Sequence, residues 1–272
     1  MDAVLLVISI IVCLVGVGLI LFGFNRMGKY RLIQDTPTSK VRSMAMGIVE
    51  LHGQVHAKET IKTPFSQSDC VYYRYTIEEY RRHTRRDSDG KVHTEYRWET
   101  IGSGERRIPF FAKDDTGEAY VRPDGAEISV GVKKAFYQRS GLFGAIGLII
   151  KALDSYNNND PSSMNVTGWN LEPMDPHRMA TWGASVGDRR YYEYYLEPNE
   201  NLFLIGTAAS DTSAPNNVVV KKGENEKTFI ISNKKEEEVL KGMMWSWLAL
   251  FIIGAIVVLV GAILLLFSLE VI

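Results

Sequence analysis

Cysteine and histidine are scarce in this sequence, which has two Cys and five His in 272 residues. Cys13 lies in an apolar run and Cys70 in the polar part, so no disulfide can form within the polar part and no oxidising compartment is indicated. The motifs HExxH and GxSxG and the paired-cysteine spacing of zinc sites do not occur. We therefore predict no catalytic residue, no metal and no cofactor, and we interpret Cys70 as a small buried apolar side chain.

An excess of charge of one sign is also lacking. The chain has 31 basic and 32 acidic residues, and its formal net charge is −1. This balance gives no reason to expect nucleic acid as a partner, and we predict none. The triplet Gly102-Ser103-Gly104 precedes neither a Lys-Ser/Thr pair nor a helical pattern, so we interpret it as a connection between strands and not as a phosphate loop.

Two long apolar runs stand at the ends of this polar chain. Trp245 to Phe267 is a run of 23 residues without charge, in which 15 residues are Leu, Ile, Val or Phe. On membrane-insertion scales those 15 contribute about −5 to −9 kcal/mol together. Ala3 to Phe24 is similar, and its first cation, Arg26, follows the run, unlike the leading cations of a signal peptide. We predict two membrane-spanning helices.

The cations beside these runs predict an orientation. All six lie on the inner flanks: Arg26, Lys29, Arg31, Lys234, Lys235 and Lys241. By the positive-inside rule, the prediction is a multi-pass protein of the cell membrane with its polar domain in the cytoplasm and both termini outside. The alternative is that the domain is translocated, since long domains cross a membrane largely regardless of charge.

Small residues recur every seven positions in each run. The predicted helix-packing positions are Ser9, Gly16 and Gly23 in the first run and Gly254, Gly261 and Ser268 in the second. Small faces let two helix backbones approach closely in lipid. The alternative is that these are ordinary glycines of apolar helices, because the tighter GxxxG spacing is absent.

Alternation of apolar and polar residues predicts a half-buried strand from Val49 to Val55. Glu50, His52 and His56 would lie on its polar face. Such a face could bind a metal ion, but the sequence offers no third strong ligand nearby. We favour a solvated strand face over a metal site.

Two aromatic runs, Asp69 to Arg82 and Lys91 to Ile101, read as a hairpin with Asp-Gly in its turn. The basic tip has two interpretations, a solvated end that blocks aggregation and a contact with anionic lipid. The apolar segment 141–150 likewise reads either as a core helix or as an interfacial segment. The candidate membrane contacts are Arg81, Arg82, Arg85, Arg86, Leu142, Phe143, Ile146, Leu148 and Ile149.

The rest of the polar part repeats short strands and turns. Strands are predicted near residues 108–112, 118–122, 126–130, 191–198, 201–209, 218–221 and 227–231, with a short helix within 173–185. The predicted fold class is two transmembrane α-helices flanking a single α+β, mainly antiparallel β domain. Residues 1–28 form the first helix, residues 29–232 the β-rich domain, and residues 233–272 the juxtamembrane and second helix.

Three segments together resemble the GIDE domain, also called BAM, of the mitochondrial-anchored and chloroplast-envelope ubiquitin ligases and their prokaryotic relatives. They are TSKVRSMAMGIVELHG from Thr38, YEYYLEPNENLFLIGTA from Tyr192, and FIISN from Phe229, which leads into EEEVL. They stand in family order between the two apolar runs. The resemblance implies a domain that binds a partner beside a membrane.

The resemblance departs from the ligases at the C-terminal end. In those ligases a RING finger follows the second span and recruits the ubiquitin-charged enzyme with two zinc ions, which need about eight Cys and His ligands. This sequence has no Cys or His after His177, so we expect a member without the RING. The mitochondrial members place the domain in the intermembrane space, whereas the charges here favour the cytoplasm.

The leading hypothesis is a membrane-anchored, non-catalytic adapter that binds a protein partner or forms a homo-oligomer, in contact with membrane lipids. The candidate exposed aromatic contacts are Tyr191, Tyr192, Tyr194, Tyr195, Trp169 and Trp182, with core packing favoured for whichever of each alternating pair faces inward. The alternatives are a lipid-handling protein, and a ligase-like or hydrolytic membrane enzyme with an unfamiliar site.

Overall fold

The computed structural model describes residues 3–140, 171–175, 184–212, 214–215 and 217–270. Helix α1 spans Ala3–Asp35 and helix α2 spans Glu236–Glu270. Both are long and apolar enough to cross a membrane. Between them lies a mainly antiparallel β domain, so the predicted fold class is confirmed.

Fifteen strands build the described part of the domain. They are β1 Thr38–Ser39, β2 Gly47–His56, β3 Ile61–Lys62, β4 Asp69–Cys70, β5 Tyr72–Arg86, β6 Val92–Arg107, β7 Phe110–Lys113, β8 Glu118–Val121, β9 Glu127–Ser129, β10 Val132–Gln138, β11 Glu172–Met174, β12 Arg189–Leu196, β13 Asn201–Ser210, β14 Val218–Lys221 and β15 Ile230–Ser232. A 3-10 turn, Val41–Ser43, lies between β1 and β2.

Five of the strands close a small barrel in the order β2-β7-β8-β14-β13 and back to β2. All neighbours in this ring are antiparallel except β14 and β8. The barrel interior is filled by apolar side chains, among which Leu51, Val121, Leu204 and Val220 are at most 2% exposed. Closure removes the free sheet edges that a flat sheet would leave.

A second sheet has the order β11-β10-β12-β5-β6. One face of it packs on a separate core that includes Tyr73, Ile77 and Tyr191, covered by Phe65 from the loop between β3 and β4. Glu193 of β12 lies within this core and is fully buried. The sequence predicted both long strands of the sheet but could not show that they form a layer apart from the barrel.

The β5–β6 hairpin is longer than its sequence pattern suggested, and Gly102 and Gly104 lie inside β6. Our prediction that they form a connection between strands was therefore wrong. The reason is steric: a Cβ at Gly104 would lie 2.7 Å from the ring of Tyr75, the residue opposite on β5. Glycine at this position lets the core tyrosine pack against the backbone of the neighbouring strand.

The domain is fixed against both helices through a small apolar cluster. Ile33 near the end of α1 packs with Phe203, Ile205 and Ile230 of the barrel side, and Leu240 at the start of α2 joins them. Only three residues separate β15 from α2. The body of the domain is therefore attached to the two helices by direct packing as well as by the chain.

Two predictions about local structure fall wholly or partly outside the described residues. The apolar segment 141–150 is outside them, and so is 176–183, the middle of the predicted short helix. Immediately before these segments, the chain forms β10 and β11.

Candidate functional site

The outer face of the second sheet carries a continuous group of tyrosine, tryptophan and arginine side chains. Residues opposite each other in antiparallel strands share a face, and the register pairs Tyr80 with Trp98, Arg74 with Tyr194, and Tyr137 with Arg190. We call this group the aromatic face. It consists of Arg74, Tyr80, Tyr96, Trp98, Tyr137, Arg190, Tyr192 and Tyr194.

Cation–π contacts hold the aromatic face together. The Arg190 guanidinium lies 3.9 Å from the Trp98 ring centroid and 5.7 Å from that of Tyr192. The Arg74 guanidinium lies 4.3 Å from the ring centroid of Tyr194. An arginine over an aromatic face is attracted by the ring quadrupole. The face is therefore ordered before any partner arrives.

The aromatic face continues onto the outer hairpin. From Arg81 outward, β5 pairs with β6 alone among the described strands, and the long outer edge of β6 is unpaired in the part that the structure describes. Tyr96 stacks on Tyr80 with ring centroids 6.1 Å apart, yet it stays 52% exposed. An exposed aromatic beside an open strand edge is a surface on which a partner strand or loop can bind.

The predicted tyrosine contacts divide into two pairs. Tyr191 and Tyr195 are at most 2% exposed and belong to the second core. They are therefore the inward-facing pair, for which the sequence analysis favoured core packing. Tyr192 and Tyr194 are half-buried and lie on the aromatic face. Partner binding therefore remains a prediction for the second pair alone. Trp169 and Trp182 lie outside the described residues.

The basic residues of the hairpin are not equivalent. Arg81 is held by carboxylates, with its Nε 2.9 Å from Glu79 Oε1 and its Nη1 3.4 Å from Glu99 Oε2. The hydrogen bond to Glu79 raises the pKa of the Arg81 guanidinium. The other three are exposed, and their contact with anionic lipid remains a prediction: Arg82, Arg85 and Arg86. The apolar candidates lie outside the described residues: Leu142, Phe143, Ile146, Leu148 and Ile149.

The predicted helix-packing residues lie between the two helices. A Cβ at Gly16 would lie 2.6 Å from a methyl group of Val258 and 3.0 Å from the Gly254 carbonyl oxygen, and one at Gly261 would lie 2.6 Å from Cys13 Sγ. Six residues are buried among the described side chains of the two apolar runs together with Ser268, and they are the six predicted ones: Ser9, Gly16, Gly23, Gly254, Gly261 and Ser268. The close approach depends on the lack of side chains.

The two histidines on the polar face of β2 have different carboxylate neighbours. His56 lies with its Nδ1 2.8 Å from Glu118 Oε1, whereas His52 Nε2 lies 3.1 Å from Glu50 Oε1 and 3.6 Å from Glu236 Oε2. Sequence reasoning missed Glu236 as a third group, because it is far along the chain and only the packing of α2 on the barrel brings it near. Burial raises the pKa of Glu50, and the nearby charge of Glu236 acts in the same direction.

Together these features define a class of protein, a β-barrel domain with an appended aromatic sheet, packed directly on two helices of membrane-spanning composition. A family model named GIDE, described as "E3 Ubiquitin ligase", matches residues 79–267. The match covers most of the chain, so this chain belongs to the GIDE family, and the predicted family is confirmed. No curated protein and no solved structure matches the chain.

Proposed function

We propose that this chain is a membrane-anchored, non-catalytic adapter whose β domain binds a protein partner, or a second copy of itself, through the aromatic face. The observation that carries the proposal is the composition of that face. Tyrosine, tryptophan and arginine are the residues that dominate binding energy at protein interfaces, and here they form one continuous surface with Tyr96 half exposed.

The packing of the domain supports an anchoring role. The cluster around Ile33 and Phe203 joins the barrel to both helices. Arg26 and Lys29 of α1 also lie 4.0 and 3.7 Å from the carboxylate of Glu127. A domain held in this way presents its aromatic face in a fixed orientation to the membrane, which reduces the entropy lost when a partner in the same membrane binds.

The family description names ubiquitin ligation, but the adapter proposal assigns no transfer step to this chain. Its two cysteines do not form a reactive site: Cys13 is in α1, and burial raises the pKa of the Cys70 thiol to about 12. A thiol with such a pKa is protonated at neutral pH and is a poor nucleophile. The cysteines therefore give no support to a transfer step, and we assign the chain a recruiting role through the aromatic face.

Tyr96→Ala and Arg74→Ala are expected to weaken assembly on the aromatic face. If each is a binding hot spot, its loss costs about 2 kcal/mol, or roughly 30-fold in affinity. The full-length protein would be purified in mild detergent, its partners quantified by mass spectrometry, and its mass measured by light scattering. The wild type is expected to elute with a stoichiometric partner or as a defined oligomer, and both variants are expected to lose it.

Met46→Ala is the matched control, because Met46 is 60% exposed and lies beside the barrel, away from the aromatic face. It is expected to assemble like the wild type. A wild-type monomer without a partner would refute the adapter proposal. Assembly that survives both Tyr96→Ala and Arg74→Ala would refute the role of the aromatic face.

We propose further that the domain lies in the cytoplasm, on the basis of the six cations that flank the helices on the domain side. Asp89→Cys and Glu224→Cys would each place an exposed thiol on the domain, while the native Cys70 is buried. In a Cys13→Ala background, a membrane-impermeant thiol reagent is expected to label both variants only after the cells are opened. Labelling of intact cells would place the domain outside.

A further inference from the structure

We propose that Glu50, His52 and Glu236 bind a divalent transition-metal ion where β2 meets the first turn of α2. The proposal is independent of the adapter function, because it concerns the junction of the barrel with α2 and not the aromatic face of the second sheet. Glu50 and His52 lie on β2, and Glu236 is the first residue of α2.

The distances fit a metal site. One ligand atom from each of the three side chains can be chosen so that all lie within 4.8 Å of one another. His52 Nε2 is 3.1 Å from Glu50 Oε1 and 3.6 Å from Glu236 Oε2. Ligand atoms around tetrahedral zinc, with bonds of about 2.0–2.2 Å, are about 3.3–3.6 Å apart. The two separations are therefore close to those that such an ion requires.

A buried oxygen supplies a second, independent observation. Glu50 is only 1% exposed, and its Oε1 accepts a hydrogen bond of 2.8 Å from the hydroxyl of Thr38. Its Oε2 is buried and has no hydrogen-bond partner among the described residues. Buried carboxylates are ordinarily paired or bound to metal, because an unpartnered one loses its hydration without compensation. A cation held by His52 and Glu236 would compensate the negative charge of this buried carboxylate.

The donor set indicates which ions fit. Imidazole nitrogen suits zinc, copper, iron and nickel, whereas magnesium and calcium prefer sites made of oxygen alone. Two carboxylates and one imidazole give three protein ligands. The side chains of His52 and Glu236 are 42% and 31% exposed, so water can complete the coordination. Zinc is the ion we commit to for the test.

The surroundings provide support and access. The Thr38 hydroxyl fixes the Glu50 carboxylate, and the Phe203 ring lies edge-on to the His52 ring with centroids 5.3 Å apart. Such outer contacts orient metal ligands. A pocket of about 210 Å³ opens beside His52, with Asn233 and Lys235 also in its wall. The His52 side chain can therefore be reached from solvent through this pocket.

Metal binding at this position has a structural consequence. Glu50 belongs to the barrel and Glu236 opens the helix that continues into the apolar segment. An ion held by both would link the barrel directly to α2. The link would add to the apolar cluster around Ile33 and would make the attachment of the domain depend on metal supply.

The alternative occupant of the same geometry is a proton, with a charged His52 bridging two carboxylates. A calorimetric titration distinguishes the zinc ion from the proton. The full-length protein is treated with a chelator and titrated in detergent with zinc chloride. We expect one zinc ion per chain and much weaker binding of magnesium. His52→Ala and Glu236→Gln are each expected to reduce zinc affinity on the order of 100-fold, since loss of an outer-shell partner alone costs roughly 10- to 100-fold.

His56→Ala and Glu237→Gln are the matched controls, since they remove the same groups from the same strand face and the same helical turn. Both are expected to bind zinc like the wild type. If His52→Ala does not fold, Glu236→Gln decides alone, because Glu236 is partly exposed. The proposal is overturned if the wild type binds no stoichiometric zinc, if both site variants keep wild-type affinity, or if the controls lose binding equally.

Discussion

Replacing Glu193 by leucine is expected to destabilise the domain by about 3 kcal/mol, because one buried and one half-buried backbone N–H group lose their acceptor. Glu193 is fully buried, and its Oε1 accepts hydrogen bonds of 2.6 Å from the Phe65 N–H and 3.2 Å from the Ser66 N–H. These bonds hold the loop between β3 and β4 over the second core, where Phe65 packs edge-on against Tyr191. Leucine has no hydrogen-bond acceptor and cannot hold the loop.

The measurement is thermal unfolding of the full-length protein in detergent. Unfolding is monitored through the reaction of Cys70 with a fluorogenic thiol reagent. Cys70 is fully buried in the same core and reports its opening, and a Cys13→Ala background makes it the only thiol. For a domain of about 200 residues, 3 kcal/mol corresponds to a loss of roughly 6–12 °C in Tm. A loss below 2 °C would show that the loop does not depend on Glu193.

Glu193→Gln is the control that separates the hydrogen bonds from the charge. Glutamine keeps an oxygen that can accept both N–H bonds. Burial raises the pKa of the Glu193 carboxyl above its ordinary value of 4.5, and the hydrogen bonds from the Ser66 and Phe65 segment offset this only in part. The folded state therefore holds its proton to a higher pH than the unfolded state, and stability falls as the pH rises from about 4.5 through the folded pKa.

The expected result is a pH-dependent difference between Glu193→Gln and the wild type. Glutamine does not titrate, so its Tm relative to the wild type is expected to increase as the pH rises through that window. Glu50, whose pKa is also raised by burial, is present in both proteins and cancels in the comparison. A difference that stays constant between pH 4 and pH 8 would contradict a raised pKa at Glu193.

Much of the fold could be predicted from periodicity. The two apolar helices, the strand around Leu51 and the hairpin with its Asp-Gly turn follow from hydrophobic pattern and turn chemistry, which are local properties. The closure of the barrel could not be predicted, because it depends on pairings between distant strands, such as Leu51 opposite Leu204 and Val121 beside Val220. Local sequence carries little information about such partners.

The candidate surfaces show the same division. Alternation in the run from Tyr191 to Tyr195 indicated two faces but could not show which face is inward. That choice is made by Phe65, which packs on Tyr191 from a loop more than a hundred residues earlier. The aromatic face was missed as a unit because its members come from four strands, which meet only through the sheet register. The alternation of Arg190, Tyr192 and Tyr194 along one strand was the available signal.

A last prediction concerns the way in which the barrel closes. Strand β2 pairs with β1 at Glu50 and Leu51 and with β7 from Gln54 onward, so it changes neighbours at Gly53. Strand β13 pairs with β15 up to Ile205 and with β14 from Thr207, so it changes neighbours at Gly206. A glycine stands at both places. Bends of this kind at barrel corners bring backbones closer than a side chain permits.

Gly53→Ala is expected to be the more damaging of the two substitutions. A Cβ at Gly53 would lie 2.2 Å from the Lys113 carbonyl oxygen, a backbone atom of β7, whereas one at Gly206 would meet side-chain atoms of Phe229 at 2.8 Å. Side chains can rotate away, but Lys113 cannot move without breaking the β2–β7 pairing. Overpacking ordinarily costs about 1–3 kcal/mol, and we expect Gly53→Ala at or above the upper end, a loss of at least about 6 °C in Tm.

Gly131→Ala is the matched control, since a Cβ there would meet no atom within 4 Å. Its Tm is expected to stay within about 2 °C of the wild type, because the change adds no contact in the folded state and only slightly restricts the unfolded chain. If Gly53→Ala were equally neutral, β2 would have room at its bend, and the barrel would not close through the contact with Lys113. A large loss at Gly53 and a smaller one at Gly206 would show that closure depends on two close approaches, that of Gly53 to the Lys113 backbone and that of Gly206 to the Phe229 side chain.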